Sequence, residues 1–213
     1  MCIRDRGYQA IAMHPNKATN WKRSTAYRFL DFDDFISLDQ FSDTAKRYRG
    51  MISDQANYEK IVETYENKEP GSPFFLFDVT MQNHSGYAQG WNNLSGDVTV
   101  TGGAKPSSIT TQYFSLMKES DQAIQALVEH YSQVEEKTLI VFFGDHQPPL
   151  GNTFFETLYG KKLDERDPEE VQQAYETPFF IWANYDIPEQ DDLRISSNYL
   201  GVLAAEVAGL PLT

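Results

Sequence analysis

Thr138-Leu-Ile-Val-Phe-Phe-Gly-Asp-His-Gln-Pro148 is an apolar run that turns polar in a single step. Its apolar part is rich in β-branched and aromatic side chains and far shorter than the ~20 residues of a membrane span, which predicts a buried strand over 138–143. Three other runs read the same way: Tyr8 to Met13, Phe74 to Val79 and Phe179 to Trp182. Helical patterns lie between or after them. From Tyr113, apolar residues recur at Leu116, Met117, Ile124, Leu127, Val128 and Tyr131, one stripe of a long helix that feeds the strand at Thr138. Tyr58, Ile61, Val62 and Tyr65 mark a shorter helix, with Ser53 or Asp54 as its N-cap. A last helix is expected from about Ser197 to Ala208, stopped by Gly209 and Pro211. Strands alternating with helices imply an α/β fold with a largely parallel central sheet flanked by helices.

The bulk numbers narrow the function classes. With 213 residues, 40% hydrophobic and 14% aromatic, the chain can bury a sizeable core. A net charge of -13 excludes partners that are held by clustered Lys and Arg, nucleic acid first among them. An anionic substrate therefore has to be bound locally. One cysteine, Cys2, forms no internal disulfide and leaves the compartment open. No apolar stretch of a span's length and no signal-peptide pattern lies within these residues. Residues 1–6 are polar and run straight into strand-like sequence, so they are expected to be a non-native start to an N-terminally incomplete domain covering 7–213. Gly86 to Ser108, rich in Gly, Ser, Asn and Thr, reads as a long loop, and Asp164 to Glu170 as a solvated excursion.

Chemistry collects where the strands end. His14, His84 and His146 each follow a predicted strand, at the edge where open α/β sheets gather ligands. His130 falls off the apolar stripe of its helix and is expected to be exposed and without a role. At 144–146, Gly144 permits close backbone approach, and Asp145 and His146 offer an oxygen and an imidazole nitrogen suited to Zn²⁺ or Mn²⁺. The same pair also suits a turn cap with a hydrogen-bonded neighbour. His84, in Asp78-Val-Thr-Met-Gln-Asn-His-Ser-Gly-Tyr87, either contacts a phosphate or metal or merely orders its own turn. Met13-His-Pro-Asn-Lys-Ala-Thr-Asn-Trp-Lys-Arg23 packs His14, Asn16, Trp21 and Arg23 into one short segment. Arg offers a planar fork to phosphate, Trp a wall for a small polyol, and His and Asn directional hydrogen bonds; a surface loop with an anchoring Trp has the same composition.

In this order the segments resemble the lipoteichoic acid synthase-like phosphoglycerol transferases of the alkaline phosphatase/sulfatase superfamily. The resemblance runs over nearly the whole chain after Arg6. It takes in Tyr27 to Phe35, Met51-Ile-Ser-Asp54, Glu119-Ser-Asp121, Thr177-Pro-Phe-Phe-Ile-Trp-Ala-Asn184 and Ile195-Ser-Ser-Asn-Tyr-Leu200. Gly-Asp-His alone indicates only the superfamily, whereas its combination with His14 and Trp21-Lys-Arg23 points to this branch. The resemblance implies an alkaline phosphatase/sulfatase-like fold, Mn²⁺ or another divalent cation held by Asp145 and His146, and a glycerol phosphate pocket lined by His14, Asn16, Trp21, Arg23 and His84. It implies transfer of glycerol phosphate from phosphatidylglycerol to a polyol-phosphate polymer of the cell envelope, in lipoteichoic acid synthesis. The parent would work on the extracellular face of a bacterial membrane, anchored by helices upstream of this chain. Two departures stand out. Asn16 occupies a position where the family often has an acid, which opens the head group to phosphoethanolamine or the acceptor to change. The family's threonine nucleophile and an acidic metal ligand lie upstream of His14, and neither Thr19 nor Thr80 sits where the pattern places a nucleophile, so these residues alone are expected to be inactive. The alternatives are another enzyme of the superfamily, a sulfatase or phosphoethanolamine transferase, and a non-enzymatic surface module that binds polyol phosphate.

Overall fold

The structure is a computed structural model and describes residues 3–87, 93–94, 98 and 107–210. Two compact units share the chain: residues up to Leu127 with Leu150–Gly160 form one, and Val128–Pro149 with Lys161 onward form the other.

The first unit is organised by strand β1 (Gln9–Met13), whose residues after Gln9 are all buried. β1 lies between β2 (Asp34–Ile36) and β5 (Phe74–Asp78), and both pairings are parallel, with Met13 beside Ile36 on one side and Asp78 on the other. A strand covered on both faces has no polar face to alternate with, which is why Ala10-Ile-Ala-Met13 reads as a continuous apolar run. On one face Ile11 and Met13 pack with Ile36, Phe41, Ile52 and Ala56, the last belonging to helix α2 (Asp54–Glu66). On the other, Tyr27 of helix α1 (Arg23–Phe29) sits among Phe32, Phe35 and Phe77, its ring 4.9 Å from Phe35 and 5.3 Å from Phe32. Ser53 is the N-cap of α2, its hydroxyl accepting Ala56 N–H at 3.1 Å, and Asp54 is the first helical residue. A small hairpin, β3 (Arg47–Tyr48) and β4 (Met51–Ile52), precedes it.

The predicted long helix is α3 (Ser108–Ser132), which starts earlier than its apolar stripe because Ser107 and Thr110 bond reciprocally at its N-terminus. Leu116, Ala123, Leu127 and Tyr131 are its buried apolar positions. Leu116 packs with Tyr48, Tyr87 and Leu150, the last just before helix α4 (Asn152–Tyr159). His130 is half-buried and edge-on to Tyr131, which corrects the expectation that it is exposed: its position falls beside the stripe and not opposite it. Most of the loop read at 86–108 lies outside the described residues.

In the second unit β6 (Leu139–Phe143) pairs with β7 (Phe179–Ala183), and Phe142 stacks on Phe180 at 5.3 Å. This pairing is antiparallel, so the parallel arrangement read from the sequence describes β2-β1-β5 and not this ribbon; apolar composition marks a strand without encoding its direction. The excursion at 164–170 is solvated but not irregular. Asp167 caps helix α5 (Pro168–Gln173) in a capping box with Glu170, with Pro168 in the first turn. The C-terminal helix α6 (Leu200–Val207) follows a tight turn at Ser197–Tyr199, and Gly209, at φ +69°, closes it, its N–H donating to Glu206 O while Leu210 N–H reaches back to Ala205 O. Among the described residues no helix is long and apolar enough to cross a membrane.

Candidate polyol-phosphate and metal sites

β1 delivers His14 to the edge of the sheet, where the side chain is fully buried. His14 Nδ1 lies 2.8 Å from Val79 O, and because a carbonyl only accepts, Nδ1 carries the proton. Nε2 is left as a lone pair, buried and without a partner. Burial lowers the pKa of His14, the charge of Arg23 lowers it further, and only the Val79 bond opposes them. This imidazole is therefore a neutral hydrogen-bond acceptor, suited to a hydroxyl and not to a phosphate oxygen.

After His14 the chain turns back through 15–22, and Trp21 and Lys22 both adopt left-handed backbone, with φ of 51° and 56°. Consecutive non-glycine residues in that region cost about 1–2 kcal/mol each. Such strain concentrates at binding sites. Its result here is a Trp21 ring that is 60% exposed yet flanked by His14 at 5.8 Å and His84 at 5.9 Å. Arg23 opens α1 with its guanidinium 5.2 Å from the Trp21 ring, and its Nη1 donates to Tyr27 Oη at 2.7 Å. Arg23 Nε is a buried donor with no partner. Asn16 shares the turn, but its carboxamide oxygen accepts Lys17 N–H at 2.7 Å, so it secures the loop. The four residues His14, Trp21, Arg23 and His84, from two segments 60 to 70 positions apart in the sequence, form one cluster.

Sequence reading missed the supports of that cluster. Gln82 is almost fully buried, accepts Asp54 N–H at 2.9 Å and donates to Leu116 O and Ser120 Oγ, which fixes the segment carrying His84. Arg49, also buried, donates to the carbonyls of Gln82 and His84. A Gln or Arg of this kind carries no local signal; only Arg49-Gly50, an unusual pair for a tight hairpin, hints at it.

In the second unit β6 ends at Phe143 and Asp145 and His146 follow, both mostly exposed, with His146 Nε2 3.6 Å from Asp145 Oδ2. His146 Nδ1 lies 2.9 Å from Gln147 O, which places a proton on Nδ1, so that Nε2 is the ring atom available to a cation. An imidazole lone pair beside a carboxylate suits a divalent cation, but it is only two donors, and among the described residues no group of three or more His, Cys, Asp or Glu gathers as a metal site. Gly144 has the role its sequence position suggests. A Cβ there would lie 3.1 Å from Thr177 Cβ, and Thr177 Oγ1 donates to Gly144 O at 2.8 Å. Gly144→Ala is expected to destabilise the chain by about 1–3 kcal/mol, read as a lower urea midpoint with an unchanged slope.

Comparison with known proteins gives the site its frame. The sulfatase family model matches residues 2–210. A Rhizobium meliloti protein named for cyclic beta-1,2-glucan modification is 30% identical over 214 residues, covering 97% of this chain and 33% of its own length. The structure of the Streptococcus pyogenes phosphoglycerol transferase GacH in complex with sn-glycerol-1-phosphate superimposes with a TM-score of 0.72 at 25% identity, over 96% of this chain and 50% of that one. The lipoteichoic acid synthase LtaP from Listeria monocytogenes shares the fold, with a TM-score of 0.59 at 18% identity over 84% of this chain and 44% of that one. The chain thus spans a third of the curated relative's length and half of the GacH chain. Its α/β architecture is that of the alkaline phosphatase/sulfatase fold, and with the family model matching almost from end to end, the chain belongs to the sulfatase family.

Proposed function

We propose that the protein to which this chain belongs transfers glycerol phosphate from phosphatidylglycerol to a cell-envelope polymer on the extracellular face of a bacterial membrane. One observation carries the reading: His14 and Arg23 both present buried polar atoms without partners beside the exposed Trp21 ring. Buried polar groups left unpaired call for a ligand, and these are an acceptor for a hydroxyl, a charged donor for a phosphate and a flat wall between them. The likeness to a phosphoglycerol transferase solved with sn-glycerol-1-phosphate supports the same assignment.

In this reading Arg23 binds the phosphate and opposes the charge that develops on it, His14 Nε2 accepts a glycerol hydroxyl, Trp21 orients the polyol, and the exposed His84 completes the rim. Asn16 shapes the turn that carries them. Asp145 and His146 Nε2 would hold a divalent cation, Mn²⁺ in the first instance. Such a cation supplies neutralisation of phosphate charge, which suits a protein of net charge -13. Thr80 is engaged with the buried Asp54 carboxylate and is not assigned as the nucleophile. That role belongs to the rest of the parent, and residues 7–213 alone are expected to bind without turnover. The rhizobial relative favours a second acceptor, a glucan, with the same donor chemistry.

The parent protein, given phosphatidylglycerol and Mn²⁺, is expected to release diacylglycerol, and His146→Ala to lower that rate by at least about 100-fold. Parallel reactions with a polyol-phosphate polymer and with a β-glucan would show which accepts the label. No release from any glycerophospholipid, or turnover of an aryl sulfate or an ethanolamine lipid instead, would overturn the proposal.

A further inference from the structure

The hairpin between β3 and β4 carries an arginine where its geometry favours asparagine or glycine. Tyr48 pairs with Met51, so Arg49 and Gly50 are the central residues of a two-residue turn, with φ of 53° and 79°. Positive φ at both positions is the type I′ geometry, best satisfied by Asn-Gly. Arg49 adopts it against the resistance of its own Cβ, and its side chain is 5% exposed, a cation turned inward.

Inside, among the described residues, the guanidinium meets carbonyls and no carboxylate. Nη2 donates to Gln82 O at 3.1 Å and to His84 O, Nη1 reaches Gln112 Oε1 at 3.5 Å, and the group lies 5.1 Å from the Tyr87 ring centroid. Tyr87 Oη in turn donates to Asn83 O at 2.6 Å. Three successive carbonyls, of residues 82, 83 and 84, thus each accept a bond from Arg49 or from the tyrosine it stacks on. Gln82, anchored through its side chain to Asp54, Leu116 and Ser120, secures the other side of the same segment. Both carbonyls accept from the one nitrogen Nη2, whose two N–H bonds are held in the guanidinium plane, a fixed arrangement that a rotating ammonium lacks.

We infer that Arg49 is the positioning residue for His84: it holds the backbone that sets the His84 ring beside Trp21, and it acts through His84 without touching substrate. The inference rests on the assignment of His84 to the polyol-phosphate pocket, so its test includes a reading that does not depend on that assignment.

Arg49→Asn gives the turn its favoured residue while removing the guanidinium. In the full chain labelled at histidine Cε1, this variant is expected to shift and broaden the His84 ring resonance and leave that of His130 in place. Its Kd for sn-glycerol-1-phosphate is expected to rise by about 10- to 100-fold, the usual penalty for a misplaced contact. An unmoved His84 resonance overturns the inference, as does an unchanged Kd in a chain that binds. If the wild-type chain does not bind the ligand, the pocket assignment fails and the ring resonance alone judges Arg49. Should Arg49→Asn fail to fold, Arg49→Lys is read in the same way. The wild-type protein provides the remaining check: separately resolved Arg49 Nη protons, from arrested rotation about Cζ–Nε, are expected, and a freely averaging guanidinium would overturn the inference.

Discussion

Arg23→Ala is expected to weaken sn-glycerol-1-phosphate binding by about 100-fold, through loss of charge-assisted hydrogen bonds worth about 1.5–3 kcal/mol each. The size follows from how little else in the molecule attracts an anion. The chain carries 31 acidic against 18 basic residues, so its global field opposes a phosphate and affinity has to come from the pocket. Arg23 is already oriented there, braced by Tyr27 Oη and by the Trp21 face, with Nε unpaired, so little side-chain freedom remains to be lost on binding. Arg23→Lys keeps the charge but not the fork and should fall between. Arg28→Ala removes the same charge from an exposed site stacked on Phe29 and should leave the titration unchanged. Equal losses from Arg23→Ala and Arg28→Ala would mean that general attraction, and not the pocket, holds the ligand.

Between pH 4 and pH 8 the chain is expected to become less stable as pH rises, and Asp78 is the reason. Asn57 Nδ2 donates to Asp78 Oδ2, while the other oxygens of the two side chains, Asn57 Oδ1 and Asp78 Oδ1, are buried with no donor. A proton on Asp78 removes the buried charge and turns one unsatisfied acceptor into a donor. Burial, the largest cause, and the neighbouring Asp54 push the Asp78 pKa up to about 8 against the Asn57 hydrogen bond, and burial pushes Asp54 itself to about 6. The folded carboxyl thus holds its proton at a pH where the unfolded one, with a pKa of about 3.9, has released it. The stability it contributes is fully present below about pH 4 and is lost as pH rises through about 8, a change on the order of 5 kcal/mol if Asp78 acts alone. Asp78→Asn keeps a donor and an acceptor in place without the titration. Urea unfolding at pH 5 and pH 9 should show a steep difference in the wild type and a shallow one in this variant, with Asp78→Asn the more stable at pH 9. Equal slopes in the two proteins would remove Asp78 from the account.

These groups differ in how far they could be read from the chain. β1, β5, β6 and β7 match the apolar runs within a residue or so, because an unbroken aliphatic and aromatic run marks a strand; only β1 is buried as that reading expects, whereas β5, β6 and β7 are half-buried and expose Phe75, Phe143 and Phe180. β2, β3 and β4, of two or three residues each, are too short for any periodicity and exist through lateral pairing. Helix α1 was hidden for another reason: Arg23-Ser-Thr-Ala-Tyr-Arg-Phe29 buries only Tyr27, so it shows no stripe. His14, Trp21, Arg23 and His84 were legible as chemistry because they follow strand ends, and folding does bring these four together. Arg49 and Asp78 were not. Their surroundings come from residues 35 and 21 positions away, His84 and Asn57, and a contact at that separation leaves no pattern in a local window.

In the proposed function, His14, Trp21 and Arg23 together take up a glycerol phosphate. Calorimetric titration of the wild-type chain and of Trp21→Ala with sn-glycerol-1-phosphate is the deciding experiment. The predicted result is saturable binding at one site, lost in Trp21→Ala; no saturable heat, or binding that survives the loss of the Trp21 ring, would contradict it.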